Sequence, residues 1–255
     1  MVRMQLPARG TMAQRDRPMN LKDYRHVGTE HEWLVCDRPR PMICFLGEKA
    51  SGRKLRLFAV ACCRRIWAHL ADDANRAAVA TAERFADGLV TNDERIAALR
   101  SVWATRPKED NEAILHTLDP DARDTGPPAA SANYADAFDA AKYGSRNCRQ
   151  AVLPQPLAWD GGCAVEESHA LAQCCLLRDI FGNPFRPVAV VAWQTATATS
   201  LAQAIYAERA FDRLPIVADA LEDAGCTNDE VLNHCRQPGE HVRGCWVLDL
   251  MLAKA

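Results

Sequence analysis

No apolar run in this sequence approaches the ~20 residues that a membrane-spanning helix requires. The longest runs, Pro187 to Trp193 among them, are seven residues. β-Branched aliphatics are scarce: valine and isoleucine together number 23, against 43 alanines. That bias leaves little material for a sheet and favours helix. Charge of one sign is also lacking. Lys and Arg number 31, Asp and Glu 33, for a net charge of −2. No global field therefore recruits nucleic acid or an anionic membrane. Hydrophobic residues at 48% and charged residues at 25% exclude a disordered or collagen-like chain.

Cysteine is abundant instead, with 11 in 255 residues. The number is odd, the chain is long, and no apolar core of a secretory signal follows the basic residues near the start. A disulfide framework is a poor reading of such a pattern. Reduced cysteine behaves as a small buried hydrophobe. The expectation is a cytoplasmic protein whose thiols are reduced. Residues 1–28 carry six basic and two acidic side chains. They read as a disordered or mis-assigned extension.

Capped amphipathic helices dominate the rest. Thr29–Glu32, Thr91–Glu94 and Thr227–Glu230 each have capping-box spacing. Ser51 is placed to cap a helix from Gly52 to about Leu70, with Leu55, Phe58, Cys62, Ile66 and Leu70 on one face. Gly88 and Gly225 read as helix stops, each followed by a capped restart, as in an αα-hairpin. Val188 to Trp193 is the only strand-like segment, and is too short to assign by period. The expected fold is all-α: a compact multi-helix bundle of about nine or ten helices built from αα-hairpins. A turn-rich stretch at 119–130 divides an N-terminal half (29–118) from a C-terminal half (131–255).

The strongest chemical constellation is Cys226, His234, Cys235, His241 and Cys245. Cysteine and histidine at such density can hold zinc. Cys226 and Cys235 flank a predicted helix, however, and nine residues at ~1.5 Å each hold them ~13 Å apart. The candidate ligand set is therefore His234, Cys235, His241 and Cys245, folded together by the turn at Pro238–Gly239. The competing expectation is packed thiols with no cofactor at all.

Other patterns fall short of a site. Gly47 to Lys54 approaches a P-loop, but Arg53 and Lys54 stand where the template needs Lys and a hydroxyl. Ser51 to Lys54 matches S-x-x-K without the companion motifs. Glu166, Glu167 and His169 read as a helix start. Cys62–Cys63 and Cys174–Cys175 point ~100° apart on their helices and do not converge. Asp249, within an apolar run, is expected on an exposed stripe, with burial against Arg243 or Arg213 as the alternative. Phe185 and Arg186 sit on a rigid turn between Gly182 and Pro187, an aromatic–arginine pair of the kind that anchors protein interfaces. Arg53, Arg56, Arg64 and Arg65 would have to share one face to bind nucleic acid, which is not expected.

These residues carry a resemblance. Glu32–Leu34, Arg53–Trp67, Arg178–Pro187, Ala204–Tyr206, Phe211–Cys226 and His241–Trp246 together resemble a family of uncharacterised bacterial proteins that occur as several paralogues in large genomes. The resemblance spans about residues 29–252 and implies no activity and no catalytic residue. Leu214–Gly225 is also similar to a short helical companion domain, with Ala220 where that domain has tryptophan. With no complete catalytic pattern, the expected function is that of a non-catalytic protein-interaction module with an unknown protein partner. The alternative is a metal-stabilised domain or metal-dependent enzyme built on the C-terminal Cys/His residues.

Overall fold

The computed structural model of the chain describes residues 26–70, 72–104, 132, 136–152, 161–188 and 193–254. The expected linker at 119–130 and most of the N-terminal extension lie outside them, as do residues 189–192 of the strand-like segment. Every regular element among the described residues is helical, and none of the helices is long and apolar enough to cross a membrane.

The α-helices are α1 (Glu30–Val35), α2 (Pro39–Leu46), α3 (Gly52–Arg65), α4 (Asp73–Ala86), α5 (Asn92–Ala104), α6 (Ala137–Ala151), α7 (Gly161–Phe181), α8 (Ala196–Glu208), α9 (Leu214–Asp223), α10 (Asp229–Arg236) and α11 (Trp246–Met251). Local chemistry sets most boundaries. At α1 the Thr29 side chain accepts from the Glu32 N–H, and the Glu32 carboxylate accepts from the Thr29 N–H. The same reciprocal pair forms at Thr91 and Glu94. The third expected box is shifted by one residue. Asn228, not Thr227, caps α10 and accepts from the Glu230 and Val231 N–H groups. Asn is among the best N-caps, and its short amide oxygen reaches both donors at once. Helix α3 stops at Arg65 rather than Leu70, and a single 3-10 turn carries Trp67–His69. Helix α7 begins with two glycines, Gly161 and Gly162.

Helix α3 is the central post of a first core. Its residues Leu55 to Cys63 are all buried, and α4, α6 and α7 pack around it. Small side chains fill this core: Ala59, Ala61, Cys62 and Cys63 share it with Ala140, Ala141 and Cys148 of α6, and the Cys63 and Cys148 sulfurs stand 3.7 Å apart. Gly144, costly for isolated helicity, is buried on α6. The first core runs in sequence from Val27 to Ile180, so Val27 and Gly28 belong to the folded part. A second core is built from α8 to α11, from Ala198 to Met251. The ten described cysteines are free, and seven of them are buried.

Buried polar links join the two cores. Arg53 of α3 donates bidentately to Asp249 of α11 at 2.7 and 3.1 Å, and also reaches Asp87 and Tyr206. Asp249 is therefore interior, not on an exposed stripe, and its cation is Arg53 rather than Arg243 or Arg213. Glu83 of α4 draws in Arg64, Arg209 and Arg243. Arg65 pairs with Glu240, and Arg56 donates to the Ala132 carbonyl. Arg53, Arg56, Arg64 and Arg65 thus each turn to an internal partner.

Candidate metal centre

Helix α10 carries His234 in its last turn, where the ring is buried. The chain leaves the helix at Gln237, turns at Pro238–Gly239, and returns through His241 and Val242. Gly244 follows at φ +93°, where a Cβ would lie 3.0 Å from Leu57 of α3. Only glycine accepts both that backbone and that proximity. This lets Cys245 enter the interior as the N-cap of α11. From the other core, Asp179 projects from the last turns of α7, which Gly182 ends at φ +63°.

Four donor atoms meet there. One ligand atom each from Asp179, His234, His241 and Cys245 lies within 4.8 Å of all the others. Asp179 Oδ1 is 2.6 Å from His241 Nδ1 and 3.3 Å from His234 Nε2. His234 Nε2 is 3.2 Å from Cys245 Sγ. The second Asp179 oxygen, Oδ2, accepts the Val242 N–H at 3.0 Å, which fixes the carboxylate's orientation. The Gln237 amide nitrogen lies 3.4 Å from His234 Nδ1, and the two imidazoles meet edge to face at 4.9 Å.

The electrostatics fit a cation. Burial pushes the Asp179 carboxyl up, but hydrogen bonds and charge from His234 and His241 outweigh it and hold its pKa below the ordinary value. Burial pushes the Cys245 thiol well above its usual range, and the Asp179 charge adds to that. Without a cation this sulfur stays protonated; a bound metal would displace the proton. Around zinc, with bonds of ~2.0–2.3 Å, tetrahedral donors stand ~3.3–3.6 Å apart. The His234 separations are already close to that spacing, and the His241–Asp179 contact would open by several tenths of an ångström.

Of the residues singled out from sequence, His234, His241 and Cys245 come together, and Asp179 stands where Cys235 was expected. Cys235 is buried on α10, its thiol pushed up to about 12 by burial and then by Asp179 and Cys226, but it is not one of the four gathered donors. Sequence reasoning passed over Asp179, which lies 55 residues before His234. Its one signal was an Arg178–Asp179 charge pair set between Leu176, Leu177, Ile180 and Phe181 at a helix end.

The remaining candidates disperse. Met42 to Leu46 lies in helix α2, so no strand leads into Gly47–Lys54 as a P-loop requires. His169 is half-exposed, and Glu166 lies 3.9 Å from Arg149. Phe185 stacks on Phe45 at 5.0 Å, and exposed Arg186 pairs with Glu30 at 2.7 Å. No known family model, curated protein or solved structure matches the chain.

Proposed function

We propose that this chain is a metal-stabilised helical domain, with Asp179, His234, His241 and Cys245 holding one structural zinc ion, and that it acts by binding rather than by catalysis. The observation that carries this reading is the convergence of four buried donors from both cores. A set of one carboxylate, two imidazoles and one thiolate suits a borderline cation such as zinc better than magnesium or calcium, which prefer oxygen alone. Four protein donors complete a tetrahedron, and a closed tetrahedron is the mark of a structural rather than a catalytic zinc. The ion would replace a buried acid–imidazole–thiol contact with bonds that tie α7 to α10 and α11.

Elemental analysis of the purified protein tests the proposal. About one equivalent of zinc is expected, falling to background in His241→Ala and Cys245→Ala. A wild-type content below about half an equivalent, after refolding with zinc present, would overturn it.

A further inference from the structure

We propose that a second site, independent of the metal centre, binds a small carboxylate with an apolar body. It is a cavity of about 620 Å³ between the end of α2, the start of α3 and the turn after α7. Ligand pockets run from ~300 to ~1,000 Å³ and combine apolar walls with a few placed polar groups. Phe45, Leu46, Phe181, Pro184 and Phe185 supply the walls, with Phe185 stacked on Phe45. The polar lining comes from Lys49, Ser51 and Lys54, with no acidic side chain among the described lining residues.

Lys54 points most directly to an anion. Its side chain is 17% exposed, yet its ammonium makes one hydrogen bond, to the Ile180 carbonyl at 3.0 Å. An ammonium has three donors. Asp249 Oδ2 forms a longer ion pair with it at 3.7 Å, and both Asp249 oxygens also accept from Arg53. One hydrogen bond and one long, shared ion pair leave this mostly buried ammonium with donor capacity that a ligand acceptor can take. Ser51 adds a hydroxyl: its oxygen accepts the Lys54 backbone N–H at 3.5 Å, and its proton remains to donate. Lys49, exposed with its ammonium 5.5 Å from the Phe45 ring centre, supplies a second positive charge at the rim. A carboxylate accepts from several donors at once, and the three phenylalanines take the apolar remainder. Phe185 would serve as an anchor here, for a small molecule rather than a protein.

Calorimetric titration with octanoate and 3-phenylpropionate, each beside its uncharged amide, tests the assignment on the full chain. Saturable one-to-one binding of a carboxylate is expected, with its amide weaker by about tenfold or more, since each hydrogen bond to a charged group is worth that factor. Lys49→Gln is expected to weaken the carboxylate several-fold, and Phe185→Ala to weaken acid and amide alike. Lys54→Gln should abolish the preference for acid over amide; if that variant does not fold by circular dichroism, Lys49→Gln and the acid–amide comparison decide alone. Absence of binding by both acids at millimolar concentration, equal affinity for acid and amide, or unchanged affinity in folded Lys49→Gln would each overturn the proposal.

Discussion

Asp179 Oδ1 lies 2.6 Å from His241 Nδ1, and that contact joins α7 to the segment between α10 and α11. Asp179 is rooted in α7, whose Leu176, Leu177 and Ile180 are buried in the first core. The three other donors come from α10, α11 and the chain between them. Removing Asp179 therefore has two effects at once: the donor set drops to three, and Val242 loses its tether. Asp179→Ala is expected to lower zinc affinity by at least ~100-fold, read by competition with a chelator of known affinity, and to lower the thermal midpoint of the zinc-loaded protein.

The two neighbouring thiols should behave differently. Cys245→Ser is expected to remove the single thiolate-to-cobalt charge-transfer band of the cobalt-substituted protein. Cys235→Ser should leave both the band and the metal content intact. Loss of the band in Cys235→Ser with retention in Cys245→Ser would reverse the ligand assignment.

Arg53 and Asp249 form the most buried bidentate pair between the cores, at 13% and 1% side-chain exposure. Breaking one partner strands the other. Asp249→Ala is expected to cost about 3–5 kcal/mol in urea unfolding. Replacing both partners with apolar residues should recover a large part of that loss. A cost below about 1 kcal/mol for the single variant would show that the pair contributes little.

Trp33 is fully buried, and its indole N–H donates to the Gly182 carbonyl at 3.0 Å while its own carbonyl accepts from Arg178. Trp33→Ala is expected to cost about 3–5 kcal/mol through the cavity it leaves. The equilibrium shift in chemical unfolding measures it.

The Glu32 carboxyl is held below its ordinary pKa by the Gly28 N–H first and then by the Thr29 hydroxyl. A carboxylate with a depressed folded-state pKa stabilises the fold above its unfolded pKa of ~4.3, and loses that contribution as pH falls through the depressed value. Thr29→Val should move the Glu32 titration upward, part of the way back, in a carboxyl-carbon NMR titration. An unchanged titration would show that the hydroxyl contributes nothing.

Helices were legible because their punctuation is local. Thr29, Ser51 and Thr91 cap where their spacing predicts, and Gly88 stops α4 at φ +70°. Boundaries failed where a packing partner decided them, as in α3, whose continuation to Leu70 gives way to a 3-10 turn at Trp67. The division between cores was not legible. Both α6 and α7 lie after the expected 119–130 linker, yet they complete the first core around α3. The candidate metal site was half legible for the same reason. His234, His241 and Cys245 are close in sequence and joined by a readable turn. Asp179 reaches them only through the docking of α7, which no spacing rule encodes. Likewise, nothing near Asp249 in sequence announces Arg53, 196 residues away.

X-ray absorption at the zinc edge tests the central claim most directly. The account predicts one zinc with a single sulfur at about 2.3 Å and three nitrogen or oxygen donors at about 2.0–2.1 Å. Two or more sulfurs, a six-coordinate oxygen shell, or no zinc in protein refolded with the metal would contradict it.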